Sequence, residues 1–141
     1  MARVRITRWR QEQILAKVPR ILNEYGPLIG FQLQQEISKE QFDWPVPTRR
    51  KNKQFVPKGL RDIVDTGELL NSQTPPSVTG NSLKIVWAAP YSKAVLDGGY
   101  LVGTLRASYI APSRDWITPA LREKPLLPFL VQRWQQLASG K

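Results

Sequence analysis

The strongest constraint on the fold is a stripe of apolar residues that recurs every three or four positions between residues 14 and 37. Its members are Ile14, Val18, Leu22, Tyr25, Ile29, Leu33 and Ile37. This spacing predicts an amphipathic helix from about Thr7 to Ser38. Proline lacks a backbone N–H, so we expect Pro19 to bend or restart the helix and Gly26-Pro27 to break it. Residues 1–42 are therefore predicted to hold two helical pieces.

Residues 43–61 have the composition of an exposed arm. Prolines favour extended backbone, and like charges repel one another. The cations of this segment, which has no acidic residue after position 43, are Arg49, Arg50, Lys51, Lys53, Lys58 and Arg61. We expect a long basic loop, poorly ordered in the free protein, whose cations bind an acidic protein surface or nucleic acid. A solvated segment without a partner is the alternative.

Residues 62–112 have β-type patterning. The β-rich run from Ser82 to Trp87 predicts a strand, and Thr79-Gly80-Asn81 before it predicts a turn. We expect extended chain over residues 67–72 and 100–110, with Gly103 at a turn or bulge. Residues 91–96 fit one helical turn that ends at Gly98-Gly99.

Residues 113–141 are predicted to be helical. Ser113 or Asp115 can cap a short helix, and residues 126–137 predict a second helix with Leu127, Leu130 and Trp134 on one side. The chain length suits one domain. The expected fold is α+β, with N-terminal helices and a C-terminal helix packed on a small antiparallel β-sheet, and with a long basic loop.

The composition argues against catalysis. The 141 residues include no cysteine and no histidine, which removes thiol chemistry and the commonest metal ligand and general base. No run of about 18 apolar residues indicates a membrane span, and no signal peptide is recognisable. The net charge of +10 instead favours binding to polyanions.

Three weak chemical patterns have structural alternatives that we favour. Carboxylates at positions 62, 65 and 68 could bind a cation, but their spacing matches no known loop and a polar turn accounts for them. A Ser–Lys pair formed by Lys93 with a serine at position 72, 77 or 82 lacks a motif. Asp97-Gly98-Gly99 lacks the lysine and the spacing of a phosphate loop. The five tryptophans are scattered, which favours packing over base stacking. We therefore predict no catalytic, cofactor or metal site.

Three segments taken together resemble a known family. They are residues 61–72 (RDIVDTGELLNS), 86–99 (VWAAPYSKAVLDGG) and 111–121 (APSRDWITPAL). In order and spacing they are similar to the tail-completion, or head–tail joining, family of tailed bacteriophages. That family has Asp-Thr-Gly-x-Leu-x-x-Ser after an N-terminal helix, then a strand ending in Pro-Tyr and a glycine, and an Arg-x-Trp/Phe segment near the C-terminus. The matching residues are Asp65, Thr66, Gly67, Leu69, Ser72, Pro90, Tyr91, Gly98, Arg114 and Trp116.

The resemblance implies a virion structural protein without enzymatic activity and without a cofactor, assembled in the host cytoplasm. It would form a ring in the neck, between the portal or adaptor and the tail tube or its terminator, and the usual symmetry of tails leads us to expect a hexamer. Two departures, the basic stretch 48–61 and Asp97-Gly98-Gly99 in place of Glu-x-Gly-Thr, leave the ring's position open. A terminator ring that caps the tube is one alternative, and a small nucleic-acid-binding protein is another. Transient contact with packaged DNA is a further expectation.

Physical chemistry suggests structural roles for several of the matching residues. Gly67 can take a positive φ in a tight turn, after which Leu69 and Ser72 are expected to start the sheet. Pro90 and Tyr91 would end one strand and start a helical turn. Arg114 and Trp116 would anchor the C-terminal segment on the sheet. We therefore expect these residues to define the fold.

Overall fold

The computed structural model describes residues 8–50, 53–64, 67–104 and 107–140. It confirms the α+β class, because helices pack with small antiparallel sheets. The strands within these ranges form four separate two-stranded sheets rather than one. The core lies between the longest helix and the chain that follows it, and its buried members are Tyr25, Ile29, Leu33, Ile37, Phe42, Leu69, Ala89, Val95, Trp116 and Ala120.

The first helix, α1 (Arg8–Ser38), is continuous, so the predicted break at Gly26-Pro27 is wrong. A proline inside a helix frees the carbonyl group four residues earlier. These carbonyls belong to Leu15 and Asn23, and both residues are exposed, so water can hydrate them. Gly26 is buried because the chain passes close to it: a Cβ there would lie 2.7 Å from Cβ of Pro76. The glycine therefore permits close packing and does not interrupt the helix.

The C-terminal turn of α1 contains a buried carboxylate. Glu36 is 1% exposed and accepts hydrogen bonds from Gln32 Nε2 (2.8 Å), Lys39 Nζ (2.7 Å) and Gln41 Nε2 (2.7 Å). Burial alone would raise its pKa, but the three donors together hold the pKa below its usual value of 4.5. This cluster fixes the chain where it leaves the helix.

The basic segment is a β-hairpin and not the long loop that its composition predicts. Strands β1 (Phe42–Trp44) and β4 (Gly59–Arg61) pair antiparallel, and inside them β2 (Thr48–Arg49) pairs with β3 (Phe55–Val56). We call residues 42–61 the basic hairpin. Phe42 and Trp44 are buried on the protein side of its base, and this apolar contact ties the hairpin to the body of the molecule.

The segment after the hairpin begins with a helix where a strand was expected. Helix α2 (Glu68–Asn71) follows Gly67, whose φ of +82° confirms the predicted positive φ. Two leucines, which are not branched at Cβ, and an acidic first residue favour a helical turn over a strand here. Leu69 is buried beneath this turn.

The next hairpin packs against α1. Strands β5 (Ser77–Thr79) and β6 (Ser82–Lys84) flank the predicted turn at Gly80. The strand predicted to reach Trp87 ends at Lys84, because Pro75 and Pro76 opposite it supply no N–H. Trp87 pairs only through an isolated bridge to Gln73.

Helix α3 (Ser92–Asp97) confirms the predicted helical turn after Pro90-Tyr91, and Gly98 ends it. A Cβ on Gly98 would lie 2.3 Å from the backbone nitrogen of Ser113 and 2.5 Å from the carbonyl carbon of Pro112. Strands β7 (Leu101–Thr104) and β8 (Ala107–Ile110) then form a hairpin. Gly103 lies within β7, opposite Ser108, and not at the turn.

Two helices complete the chain. Helix α4 (Ile117–Glu123) begins beside Asp115, whose Oδ1 accepts hydrogen bonds from the N–H groups of Ile117 and Thr118. Helix α5 (Leu126–Ala138) confirms the predicted C-terminal helix. It packs on α1, where Arg133 binds both carboxylate oxygens of Glu24 at 2.6 and 3.2 Å. None of the helices in the described ranges is long and apolar enough to cross a membrane.

Candidate functional site

The cations of the basic hairpin do not share one environment. Arg61, at its base, is only 8% exposed. Its guanidinium donates to Oγ1 of Thr48 and to the carbonyl oxygens of Val46, Val56 and Pro57, the last at 2.8 Å. Arg61 thus holds the two sides of the hairpin together.

Arg50 is also engaged with the fold. It pairs with the carboxylate of Asp62 at 2.8 Å, and it donates to the carbonyl oxygens of Asp62 and Val64. Its side chain is 13% exposed. Two of the six predicted partner-binding cations are therefore used to bind the hairpin to itself and to the segment that follows it.

Three predicted partner-binding cations face solvent: Arg49, Lys53 and Lys58 are exposed. Lys53 has a φ of +69°, a left-handed conformation, where the chain reverses. Lys51 lies outside the described residues. The solvent-facing charge of the described hairpin is therefore smaller than the charge run in the sequence indicates.

The indole of Trp44 lies among cationic and aromatic side chains at the base of the hairpin. The guanidinium carbons of Arg114 and Arg61 lie 4.5 and 5.5 Å from the centre of its ring. Tyr109 stands edge-on to the ring at 5.8 Å, and its hydroxyl oxygen accepts a hydrogen bond from the indole Nε1 at 3.2 Å. Such cation–π contacts hold guanidinium groups in place without neutralising their charge.

Arg114 connects the C-terminal segment to this cluster. Its backbone N–H donates to the Val95 carbonyl oxygen at 3.1 Å, and its guanidinium donates to the hydroxyl of Tyr100. The predicted anchoring role of Arg114 therefore has a specific form, since it joins α3 and the C-terminal segment to Trp44 of the hairpin. No feature of the sequence indicated that Trp44, Tyr100 and Tyr109 lie beside Arg114, because these contacts span up to 70 positions.

A cavity of about 260 Å³ opens in this cluster. Four arginines line it, at positions 49, 50, 61 and 114, and Asp62, which pairs with Arg50, is the one acid among its described lining residues. Burial lowers the pKa of Arg61, and the charges of Arg50 and Arg114 lower it further. The cavity therefore carries an excess of positive charge, and its arginines repel one another.

A second, more apolar cavity of about 350 Å³ adjoins the first and shares Ile63 and Arg114 with it. Its other walls include Leu69 and Tyr91, two residues of the family-like pattern, and Val95. Its chemistry suits an apolar side chain near a cation.

The three family-like segments meet in the core. Leu69, Val95 and Trp116, one from each of the three segments, belong to the same buried cluster. Trp116 is 1% exposed and meets Trp87 edge-on at 5.3 Å. The close approach of Gly98 to Pro112–Ser113 joins the second segment to the third.

The remaining family-like residues have local positions. Ser72 donates from Oγ to the Leu69 carbonyl oxygen, and it follows a helix rather than starting the sheet as expected. Pro90 is exposed ahead of α3. Asp65 and Thr66 lie outside the described residues.

Most described side chains of the weak chemical patterns form ion pairs within the fold or are exposed. Asp62 pairs with Arg50, Lys93 pairs with Asp97 on α3, and Ser77 and Ser82 are exposed on the β5–β6 hairpin. Within the described ranges, no three acidic, histidine or cysteine side chains are grouped so that they could hold a metal ion. Comparison with protein-family models, curated proteins and solved structures gave no match.

Proposed function

We propose that this chain is a structural subunit of a ring in the neck of a tailed bacteriophage, needed for head–tail joining or tail completion. The unpaired edges of the β-strands are the main support for assembly into a ring. Each described strand pairs with a single partner, so every two-stranded sheet has unpaired edges. Free edges are sites where another chain can add, and isolated ribbons are marginally stable alone.

Exposed apolar side chains on the ribbons support the same proposal. Leu101 and Ile110 are directly opposed on β7 and β8 and are 69% and 60% exposed. Leu60, on β4 of the basic hairpin, is 67% exposed. Contacts with neighbouring subunits would cover such groups, and a closed ring repeats one contact around its axis.

The bacteriophage part of the proposal is supported by the sequence pattern of residues 61–72, 86–99 and 111–121. These segments contribute to one core, which agrees with fold-defining roles for the family-like residues. We propose a hexamer in the virion, without enzymatic activity, in contact with the adjacent neck or adaptor protein and with the tail tube or its terminator.

The direct test is a map of the intact virion from the phage that encodes this chain. We expect several copies related by rotation about the tail axis at the head–tail junction. A single off-axis copy, or no copy in the virion, would refute the proposal. Salt-sensitive binding of the free monomer to duplex DNA, without any virion copy, would favour the nucleic-acid-binding alternative.

Substitutions in the phage test the role of the basic hairpin. The Arg49→Gln, Lys53→Gln, Lys58→Gln variant removes three exposed charges and spares Arg50 and Arg61, which the fold uses. The matched control replaces Lys84, Arg122 and Lys124, exposed cations elsewhere, with glutamine. We expect unjoined heads and tails from the hairpin variant only. Normal joining with abnormal DNA retention would indicate that the hairpin contacts DNA.

A further inference from the structure

The arginine cavity at the base of the basic hairpin has charged donors that the described protein groups do not satisfy. The Nε atoms of Arg61 and Arg114 are buried and have no hydrogen-bond partner. Arg61 is 8% exposed, so water has little access to it. A buried, unpaired N–H on a cation is costly, because the charge has lost the hydrogen bonds that water would give it. Neither Nε has appreciable accessible surface, so an anion in the cavity would stabilise these guanidinium groups through their charge.

The excess of positive charge in the cavity favours an anion as its occupant. Among the residues that the structure describes, four arginines and one acid, Asp62, line it, and Asp62 already binds Arg50. Planar guanidinium groups bind oxyanions through paired hydrogen bonds. Trp44 and Tyr100 hold the Arg114 guanidinium in place, so little side-chain entropy remains to be lost on binding.

The low exposure of Arg61 favours a carboxylate on a protein side chain as the occupant. A phosphodiester of duplex DNA carries a sugar on both sides, which hinders its approach to a guanidinium as buried as that of Arg61. An aspartate or glutamate side chain has one covalent attachment and ends in the oxyanion, so it can enter. The adjoining apolar cavity can hold a hydrophobic neighbour of that acid.

We propose that the cavity formed by Arg50, Arg61, Arg114 and Trp44 is a receptor for an acidic side chain of a neighbouring subunit. This deepens the proposed function, on which it rests for the identity of the partner. The exposed cations of the hairpin then attract the acidic surface, and Arg50, Arg61 and Arg114 in the cavity bind one carboxylate of it. Electrostatic attraction thus comes from exposed residues of the hairpin, and the specific docking contact comes from the base of the hairpin together with Arg114.

The test uses the full chain in solution. Arginine Nε–H and the Trp44 indole N–H are followed by proton–nitrogen NMR during titration with N-acetylglutamate N-methylamide, which carries one carboxylate. We expect saturable shifts of the Arg61 and Arg114 signals, and no shift with the equivalent glutamine compound. Absence of saturable shifts in the wild-type protein would overturn the proposal, and so would shifts with inorganic phosphate or duplex DNA but not with the carboxylate.

Variants locate the binding. Arg114→Gln should abolish the response of Arg61, whereas Arg122→Gln, an exposed arginine on α4, should leave it unchanged. If Arg114→Gln does not fold, the wild-type titration decides. Asp65→Asn tests an internal occupant: a response seen only in that variant would mean that the chain fills its own cavity, and the proposal would be wrong. The titration does not depend on a virion, so its failure and the failure of the ring proposal are distinguishable.

Discussion

Substitution of Gly98 should destabilise the protein far more than substitution of its neighbour Gly99. Gly98 has φ +64° and ψ −156°, a region that is essentially restricted to glycine and costs other residues about 1–3 kcal/mol. A Cβ there would also lie 2.3 and 2.5 Å from backbone atoms of Ser113 and Pro112. Backbone cannot rotate aside as a side chain can, so overpacking adds about 1–3 kcal/mol.

For Gly98→Ala we therefore expect a loss of about 2–6 kcal/mol, a large part of the roughly 5–15 kcal/mol that holds a typical domain folded. Gly99 also has a positive φ, +78°, but a Cβ there would meet no atom within 4 Å. Gly99→Ala should cost only about 1–2 kcal/mol, from the left-handed conformation. Alanine restricts the unfolded chain more than glycine does. This effect is the same in both variants, so it cancels when their free energies of unfolding are compared.

Urea unfolding followed by tryptophan fluorescence measures both values, and Trp87 and Trp116 report on the core that this contact closes. Equal losses for the two alanine variants would show that the chain does not approach Gly98 closely. The description of how residues 86–99 join residues 111–121 would then be wrong.

Two further predictions concern α1. Gly26→Ala should destabilise the protein by about 1–3 kcal/mol through overpacking against Pro76, an effect that better helix propensity offsets in part. Gly30→Ala, whose Cβ would lie 3.5 Å from Gln73, should instead stabilise it by about 0.5–1 kcal/mol. Equal effects of the two substitutions in thermal unfolding would contradict the close contact at Gly26. Because the folded-state pKa of Glu36 is lowered, this residue contributes stability that is present above its unfolded value near 4.5 and is lost as pH falls through the folded value. Glu36→Gln should cost about 1–3 kcal/mol at pH 7 and reduce the loss of stability between pH 5 and 3, and an unchanged pH profile would refute this role.

Local sequence patterns correctly predicted the helices and turns that depend on residues close together in the sequence. The apolar spacing of residues 126–137 anticipated α5, and Gly80 marked the turn between β5 and β6. The continuity of α1 could not be predicted, because it depends on which face of the helix each proline occupies. The sequence does not reveal that the carbonyls freed by Pro19 and Pro27 lie on the exposed face, nor that Gly26 faces Pro76.

The candidate site could be predicted only in part. The charge run drew attention to the hairpin, but the pairing of Phe42 with Arg61 joins positions 19 apart. The partners of Arg61 are mostly backbone carbonyl oxygens, and no residue pattern encodes these. Arg114 was recognised from the family-like pattern as a structural residue, whereas its position in the cavity depends on the tertiary fold.

The cations of the basic hairpin have different roles, and this changes how the charge run in the sequence should be interpreted. A run of six cations in fourteen residues suggests one continuous polyanion-binding surface. Arg50 and Arg61 are instead committed to the hairpin, whereas Arg49, Lys53 and Lys58 are exposed. Removing Arg61 would leave several carbonyl oxygens without their donor, so a variant that includes it would lose folding and binding together. Only substitutions confined to the exposed cations can separate attraction of a partner from formation of the hairpin that presents them.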